Sequence, residues 1–115
     1  ELLRQQDRRA DAVKLYRELA ADVRSKEGSA AAYYVLEDTF EKGDMDKTEK
    51  AIFAYSEREP QAYWLAKAFI LLGDVYVRKG DNFQARATYQ SVADGYSPAD
   101  DGIVDEAKER IAKLN

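Results

Sequence analysis

Apolar residues recur at helical spacing along most of the chain. Near the start Ala12, Tyr16, Leu19 and Val23 make one stripe, and near the end Val104, Ala107, Ile111 and Leu114 make another. A step of three or four residues places each set on one face of a helix, so both predict one-sided helices at an edge of the fold. Between them the pattern changes. Leu65, Phe69, Ile70, Leu71, Leu72, Val75, Tyr76 and Val77 are apolar nearly all round, which predicts a central helix contacted from several sides. Turn signals divide the chain further. Gly43-Asp44 and Gly80-Asp81 each combine a residue suited to closing a helix with one suited to capping the next. Gln84, three residues after Asp81, completes a capping-box spacing. Pro60 fits a first helical position, and Gly95 with Pro98 marks another stop. The predicted helices are 8–26, 29–42, 45–58, 60–79, 82–95 and 101–114.

The punctuation also repeats. Lys42-Gly43-Asp44 returns as Lys79-Gly80-Asp81, an offset of 37 that also carries Ala31 onto Ala68, Tyr33 onto Ile70, Phe40 onto Val77 and Tyr55 onto Val92. Earlier in the chain Ala12, Tyr16 and Leu19 precede Thr48, Ile52 and Tyr55 by 36. A helix pair is the unit, and a unit of this kind buries its apolar face against its neighbours.

Composition narrows the chemistry. The 115 residues are 45% hydrophobic and 35% charged, with Pro 2 and Gly 6, and the commonest residues favour helix; the expected class is all-α. His 0 and Cys 0 remove the usual neutral-pH proton carrier, thiol nucleophiles, disulfides and most transition-metal ligands, so neither a catalytic centre nor a cofactor is expected. Lys+Arg 18 against Asp+Glu 22 leaves a net charge of -4, the wrong sign for binding phosphates, and nucleic acid is not an expected partner. The longest apolar run, Ala62 to Val77, is interrupted by Lys67 and Asp74 and falls short of the ~20 residues that span a bilayer, so no membrane insertion is expected. Opening at Glu1 rather than methionine reads as a processing boundary, with any targeting segment outside it.

Phe69-x-x-Leu72-Gly73-x-x-Tyr76 followed by Ala85-x-x-x-Tyr89 resembles the tetratricopeptide repeat. Gly73 and Ala85 are small enough to let two helices approach, and Phe69, Tyr76 and Tyr89 fill the gaps around the crossing. Phe69 replaces the usual Trp, and the closing Pro is displaced to Pro98. The preceding unit is more degenerate, with Ala32, Val35, Leu36, Thr39 and Thr48 at the signature positions. The resemblance spans residues 8–114 and implies a right-handed α-α superhelix, a solenoid of antiparallel helix pairs. In that scheme 1–115 is one unit, divided into a partial repeat 1–28, repeats 29–59 and 60–98, and a capping helix 99–115. The run from Gln61 to Ala85 is also similar to the carboxy-terminal repeats of long Bacteroidota tetratricopeptide proteins, which implies further repeats upstream and a periplasmic or outer-membrane setting.

The family's ligands contact the first helix of each repeat, along a concave groove. By register those positions are Tyr33, Glu37, Phe40 and Glu41, then Lys67, Ile70, Asp74, Val77 and Arg78. Tyr33 and Arg78 are the strongest anchors by residue type. Glu37 and Asp74 stand where a carboxylate-gripping subset of the family carries cationic and amide groups, so the resemblance implies a basic or amphipathic peptide or protein partner. The plainer alternative is that Phe40, Ile70 and Val77 pack between repeats while the charges are solvated. Asp44-x-Asp46-x-Thr48 imitates the start of a calcium loop, but Tyr55 stands where a bidentate Glu is required. Glu37 and Glu41, one turn apart, lack the companions of a catalytic pair and read as a solvated face. Of the adjacent aromatics Tyr33-Tyr34 and Tyr63-Trp64, at best one of each pair is exposed, and Trp64 serves either as a rim anchor or as a packing residue. The expected function is a non-enzymatic interaction module. The alternative is a structural cap or scaffold within a larger superhelix.

Overall fold

A computed structural model describes residues 2–19, 22–97 and 101–114. Six helices make up its regular structure: α1 (Leu2–Leu19), α2 (Lys26–Glu41), α3 (Met45–Glu57), α4 (Ala62–Arg78), α5 (Asn82–Gly95) and α6 (Ile103–Ala112). No strand occurs among the described residues, so the chain is all-α.

The two Gly-Asp hinges adopt one conformation. Gly43 and Gly80 take φ of +90° and +81°, the left-handed region that a side chain disfavours. Asp44 and Asp81 then cap α3 and α5, each carboxylate accepting a backbone N–H three residues on, from Lys47 and from Gln84, at 3.0 Å. The Asp81 N–H is itself engaged, donating to the Tyr76 carbonyl at 2.9 Å, while the Gly80 N–H donates to Val77 at 3.0 Å. These two bonds close α4 as a Schellman motif. Gly95, by contrast, is simply the last residue of α5, and the left-handed glycine of this region is Gly102 ahead of α6. Pro98 lies outside the described residues.

The largest departure from the predicted boundaries lies between α1 and α2. The first helix stops at Leu19 rather than continuing to 26, and α2 begins at Lys26 rather than 29. Ser25 decides this. Its hydroxyl donates to the Asp22 carbonyl at 2.8 Å and accepts the Gly28 N–H at 2.9 Å, which folds a turn and caps the new helix. Gly28 therefore sits inside the first turn of α2, where a Cβ would lie 1.6 Å from the Asp22 carbonyl oxygen. Its lack of a side chain serves a close approach, not a helix break. Val23 consequently reaches the core from the turn and not from the α1 stripe, and the Leu19 side chain lies outside the described residues. Pro60 is buried just ahead of α4, whose N-cap is Gln61.

Each helix packs on the next in sequence, and α2 also meets α4, as α4 meets α6. The central α4 thus touches α2, α3, α5 and α6, which accounts for its nearly unbroken apolar surface. One cluster of buried side chains runs from Val23 to Ala107 through all five later helices. At the α4–α5 crossing a Cβ on Gly73 would fall 2.2 Å from the Tyr89 ring, so the glycine makes room for that tyrosine. Thirty-seven residues earlier the same two positions hold Leu36 and Ile52, both buried. The degenerate repeat keeps its crossing filled by exchanging a glycine–tyrosine pair for two aliphatic side chains of intermediate size.

A buried serine joins three segments. The Ser29 hydroxyl donates to the Val23 carbonyl at 2.5 Å and accepts the Gln61 N–H at 2.9 Å. The Tyr55 hydroxyl donates to the Ser29 carbonyl at 2.7 Å. The turn before α2, the end of α3 and the start of α4 are all fastened to one residue.

Candidate functional site

The register-derived positions fall mainly on the face made by α2, α4 and α6, and most of them are engaged with each other. Tyr33 is 6% exposed. Its hydroxyl donates to Glu37 at 3.3 Å, and the Lys67 ammonium stands 5.8 Å from its ring centroid. Burial pushes the Tyr33 phenol well above its ordinary pKa, and the Glu37 carboxylate adds to the shift. Lys67 pairs with Glu106 of α6 at 3.5 Å. Glu106 in turn meets Arg110 at 3.5 Å, and Arg110 meets Asp74 at 3.1 Å. Asp74 also accepts the Tyr89 hydroxyl. Burial works against the charge on Arg110, but the hydrogen bond to Asp74 and the negative charges of Asp74 and Glu106 together outweigh it, so its pKa stays raised. Arg78 stacks on Phe40, its guanidinium carbon 4.7 Å from the ring centroid. Phe40, Val77 and Arg78 share a shallow recess with Asp74, Arg110 and Leu114. Ile70 is buried in the core.

Glu41 stands apart. It is exposed, and it lines a groove toward α1 with Arg9, Lys14 and Arg17. The expected concave set therefore separates into a linked group, Tyr33, Glu37, Lys67 and Asp74, with Arg78 beside it and Glu41 on another side of α2. Asp74 does not present bare negative charge, because a guanidinium pairs with it, whereas Glu37 accepts only a neutral phenol. Glu106 lies half-buried against α4, where it meets Lys67. Arg110 was not singled out at all. Its signal was nonetheless in the spacing, since Ile103, Ala107, Arg110 and Leu114 follow one another at helical intervals and share one face.

Next to this group five aromatic rings form a continuous cluster across α1, α2 and α4. Tyr16 and Tyr34 lie 5.0 Å apart by centroid, Tyr34 and Trp64 5.7 Å, Tyr33 and Trp64 5.6 Å, and Tyr63 and Trp64 5.1 Å. Separations in this range are those of tilted and edge-to-face pairs in direct contact. Trp64 is a packing residue. Tyr34 and Tyr63 keep one side open to solvent.

The opposite face carries two grooves. Among the described residues the backbones of α1 and α3 do not pack on one another, and neither do those of α3 and α5, so each gap opens onto the helix beneath. The gap between α3 and α5 is a cleft of about 600 Å³ floored by Leu65, Phe69 and Leu72 of α4. The gap between α1 and α3 holds about 360 Å³ above Ala32, Val35 and Leu36 of α2. Ala32 and Phe69, Val35 and Leu72, and Ala51 and Thr88 are all separated by 37, so the grooves are two copies of one feature.

Comparison with family models, with curated proteins and with solved structures finds no match for this chain. Its site is therefore read from its own geometry. The acidic residues of the calcium-like stretch are engaged otherwise. Asp44 caps α3, and Asp46 pairs with Lys79 at 2.7 Å. Lys79 also meets Glu49 at 2.9 Å, and Glu49 accepts the Tyr76 hydroxyl at 2.9 Å. That group fastens α3 to α4.

Proposed function

We propose that the chain is a non-enzymatic protein-interaction module built of tetratricopeptide-like hairpins in a right-handed superhelical stack. A partner's amphipathic helical segment lies along the face of α2, α4 and α6. The observation that carries this reading is the succession of contacts, α2 to α4 to α6, which aligns alternate helices and sets Tyr33, Lys67, Asp74 and Arg78 in one neighbourhood. The ion pairs there hold long side chains in place before a partner arrives, and a preorganised surface loses less side-chain freedom on binding. With Asp74 neutralised by Arg110, the surface suits an amphipathic partner better than a simply basic one.

Chemical-shift mapping with amphipathic helical peptides tests the proposal. Perturbation should centre on Lys67, Arg78 and Arg110, and Lys67→Glu together with Arg78→Glu should weaken binding by at least about tenfold, as for loss of interfacial charge complementarity. Perturbation confined to α1 would instead favour a structural role within a longer array. One observation supports that second reading: among the described residues the α1 backbone packs on α2 and on no other helix, and Leu15 is 53% exposed.

A further inference from the structure

The two outer grooves share a register and differ in chemistry. Where the smaller groove has Ala54 and Arg58, the larger has Ser91 and Gly95, and where the smaller has Arg17 the larger has Phe53, 36 residues on. Substitution along the repeat has removed both guanidiniums and inserted an aromatic ring that is 43% exposed. No ionised side chain lines the larger cleft among the described residues, and its lining is aliphatic and aromatic apart from Gln84, Thr88 and Ser91. The smaller groove has an apolar floor, with Arg17 and Arg58 and no carboxylate in its lining among the described residues; Arg58 has a partner of its own, so Arg17 is the cation the groove offers. Its positive character is local, since the whole chain carries a net charge of -4. Only α3 separates the two grooves.

We propose that this outer face is a second docking surface, and that its occupant is a partner segment with apolar side chains followed a few residues later by acidic ones. The apolar side chains enter the cleft between α3 and α5, and the carboxylates reach the groove between α1 and α3 beside Arg17. A cleft of about 600 Å³ lies within the size range of specific binding sites. The spacing follows from helix geometry. Packed helices stand ~8–10 Å apart, and an extended chain advances ~3.3 Å per residue, so about three residues cross α3. Charge sets the direction in which the segment lies. A basic end is repelled at Arg17 and finds no counter-ion in the neutral cleft, whereas an acidic end gains at Arg17.

The inference rests on the chain being an interaction module, but on the face opposite the one proposed above. A fluorescein-labelled 12-residue peptide with two leucines followed three residues on by two aspartates is the probe, and its twin carries lysines in place of the aspartates. Fluorescence anisotropy should show the aspartate peptide binding at least tenfold more tightly than its twin. Arg17→Glu, on an exposed turn of α1, should reverse that order. Ser91→Trp, which fills the apolar cleft from an exposed position, should weaken both peptides at least tenfold, while Lys67→Glu on the inner face should change neither. Circular dichroism confirms that the variants fold. No binding by either peptide, equal binding by both, or indifference to both Arg17→Glu and Ser91→Trp overturns the inference. If inner-face perturbation by amphipathic helical peptides persists in that case, only the outer surface is refuted. Loss on Lys67→Glu without loss on Ser91→Trp would transfer the peptide to the inner face and also overturn it.

Discussion

At the scale of single residues, the chain depends on a few positions where size or one hydrogen bond is critical. Ser29 is fully buried, with its hydroxyl and carbonyl both bonded across the fold. Ser29→Ala leaves the Val23 carbonyl and the Gln61 N–H without that hydroxyl partner. The loss in unfolding free energy should be about 1–3 kcal/mol, measured by urea denaturation, against a few tenths for a surface serine such as Ser97. Gly73→Ala drives a methyl group into the Tyr89 ring, whose far end is fastened to Asp74. A cost of roughly 1–3 kcal/mol is expected. In a Tyr89→Leu background the same change should cost clearly less, and equal costs in the two backgrounds would show that the ring is not what the glycine accommodates. The small residue at Gly73 was legible in the sequence because the stretch from Phe69 to Tyr89 resembles a repeat motif that implies small residues at its helix crossing. Ser29 was not, because one buried hydroxyl leaves no periodic trace, and its partners lie 6 and 32 residues away along the chain.

At the scale of elements, the hinges set where helices begin and end. A Cβ at Gly43 or Gly80 would meet nothing within 4 Å, so substitution there is penalised by backbone conformation alone. Gly43→Ala and Gly80→Ala should therefore each cost about 1–2 kcal/mol, and by nearly the same amount, in thermal denaturation. A large inequality would mean that the two repeats do not share one hinge. Helix boundaries at these hinges were read correctly to within a residue because both signals, left-handed glycine and capping aspartate, act locally. The α1–α2 boundary was missed because Gly28 looks like a helix terminator in sequence, and only the approach of the Asp22 carbonyl reveals its steric role. α6 was read as a cap with one solvated face, yet Glu106 and Arg110 turn toward α4 and connect the last helix to the centre of the stack.

At the scale of the whole molecule, the fixed pairs between helices make stability depend on pH at both ends. Burial tends to raise the Asp38 pKa, but the hydrogen bonds and positive charges of Lys42 and Arg9 together outweigh it and hold the carboxyl below its usual range. Glu49 is held down likewise, chiefly by Lys79. A carboxyl depressed in the folded state stabilises above its unfolded pKa, ~4, and that contribution is lost as pH falls through the lower folded value. Melting temperature should therefore drop below about pH 4, and Asp38→Asn should flatten that acid limb. The tyrosines act in the opposite sense. Burial pushes Tyr55 up to about 12, and it raises Tyr33 and Tyr89 as well. Their contribution is complete below the ordinary phenol pKa of ~10 and is lost as pH rises from there through the folded values. Melts recorded between about pH 9 and 12 should show this loss, with a shallower slope in Tyr55→Phe.

The sequence by itself determined that the chain is helical, how many helices the described residues form, where most of them stop, and that the fourth is central. Those properties follow from spacing and capping, which operate over one or two turns. Only the tertiary structure decided which charges are available. Lys67, Asp74, Glu106 and Arg110 come from helices separated by a full repeat, and whether such groups neutralise one another depends on distances that no local pattern encodes. The two outer grooves are of the same kind. Their lining residues recur at the repeat offset, but a groove exists only because α1, α3 and α5 stand apart above the helices that join them.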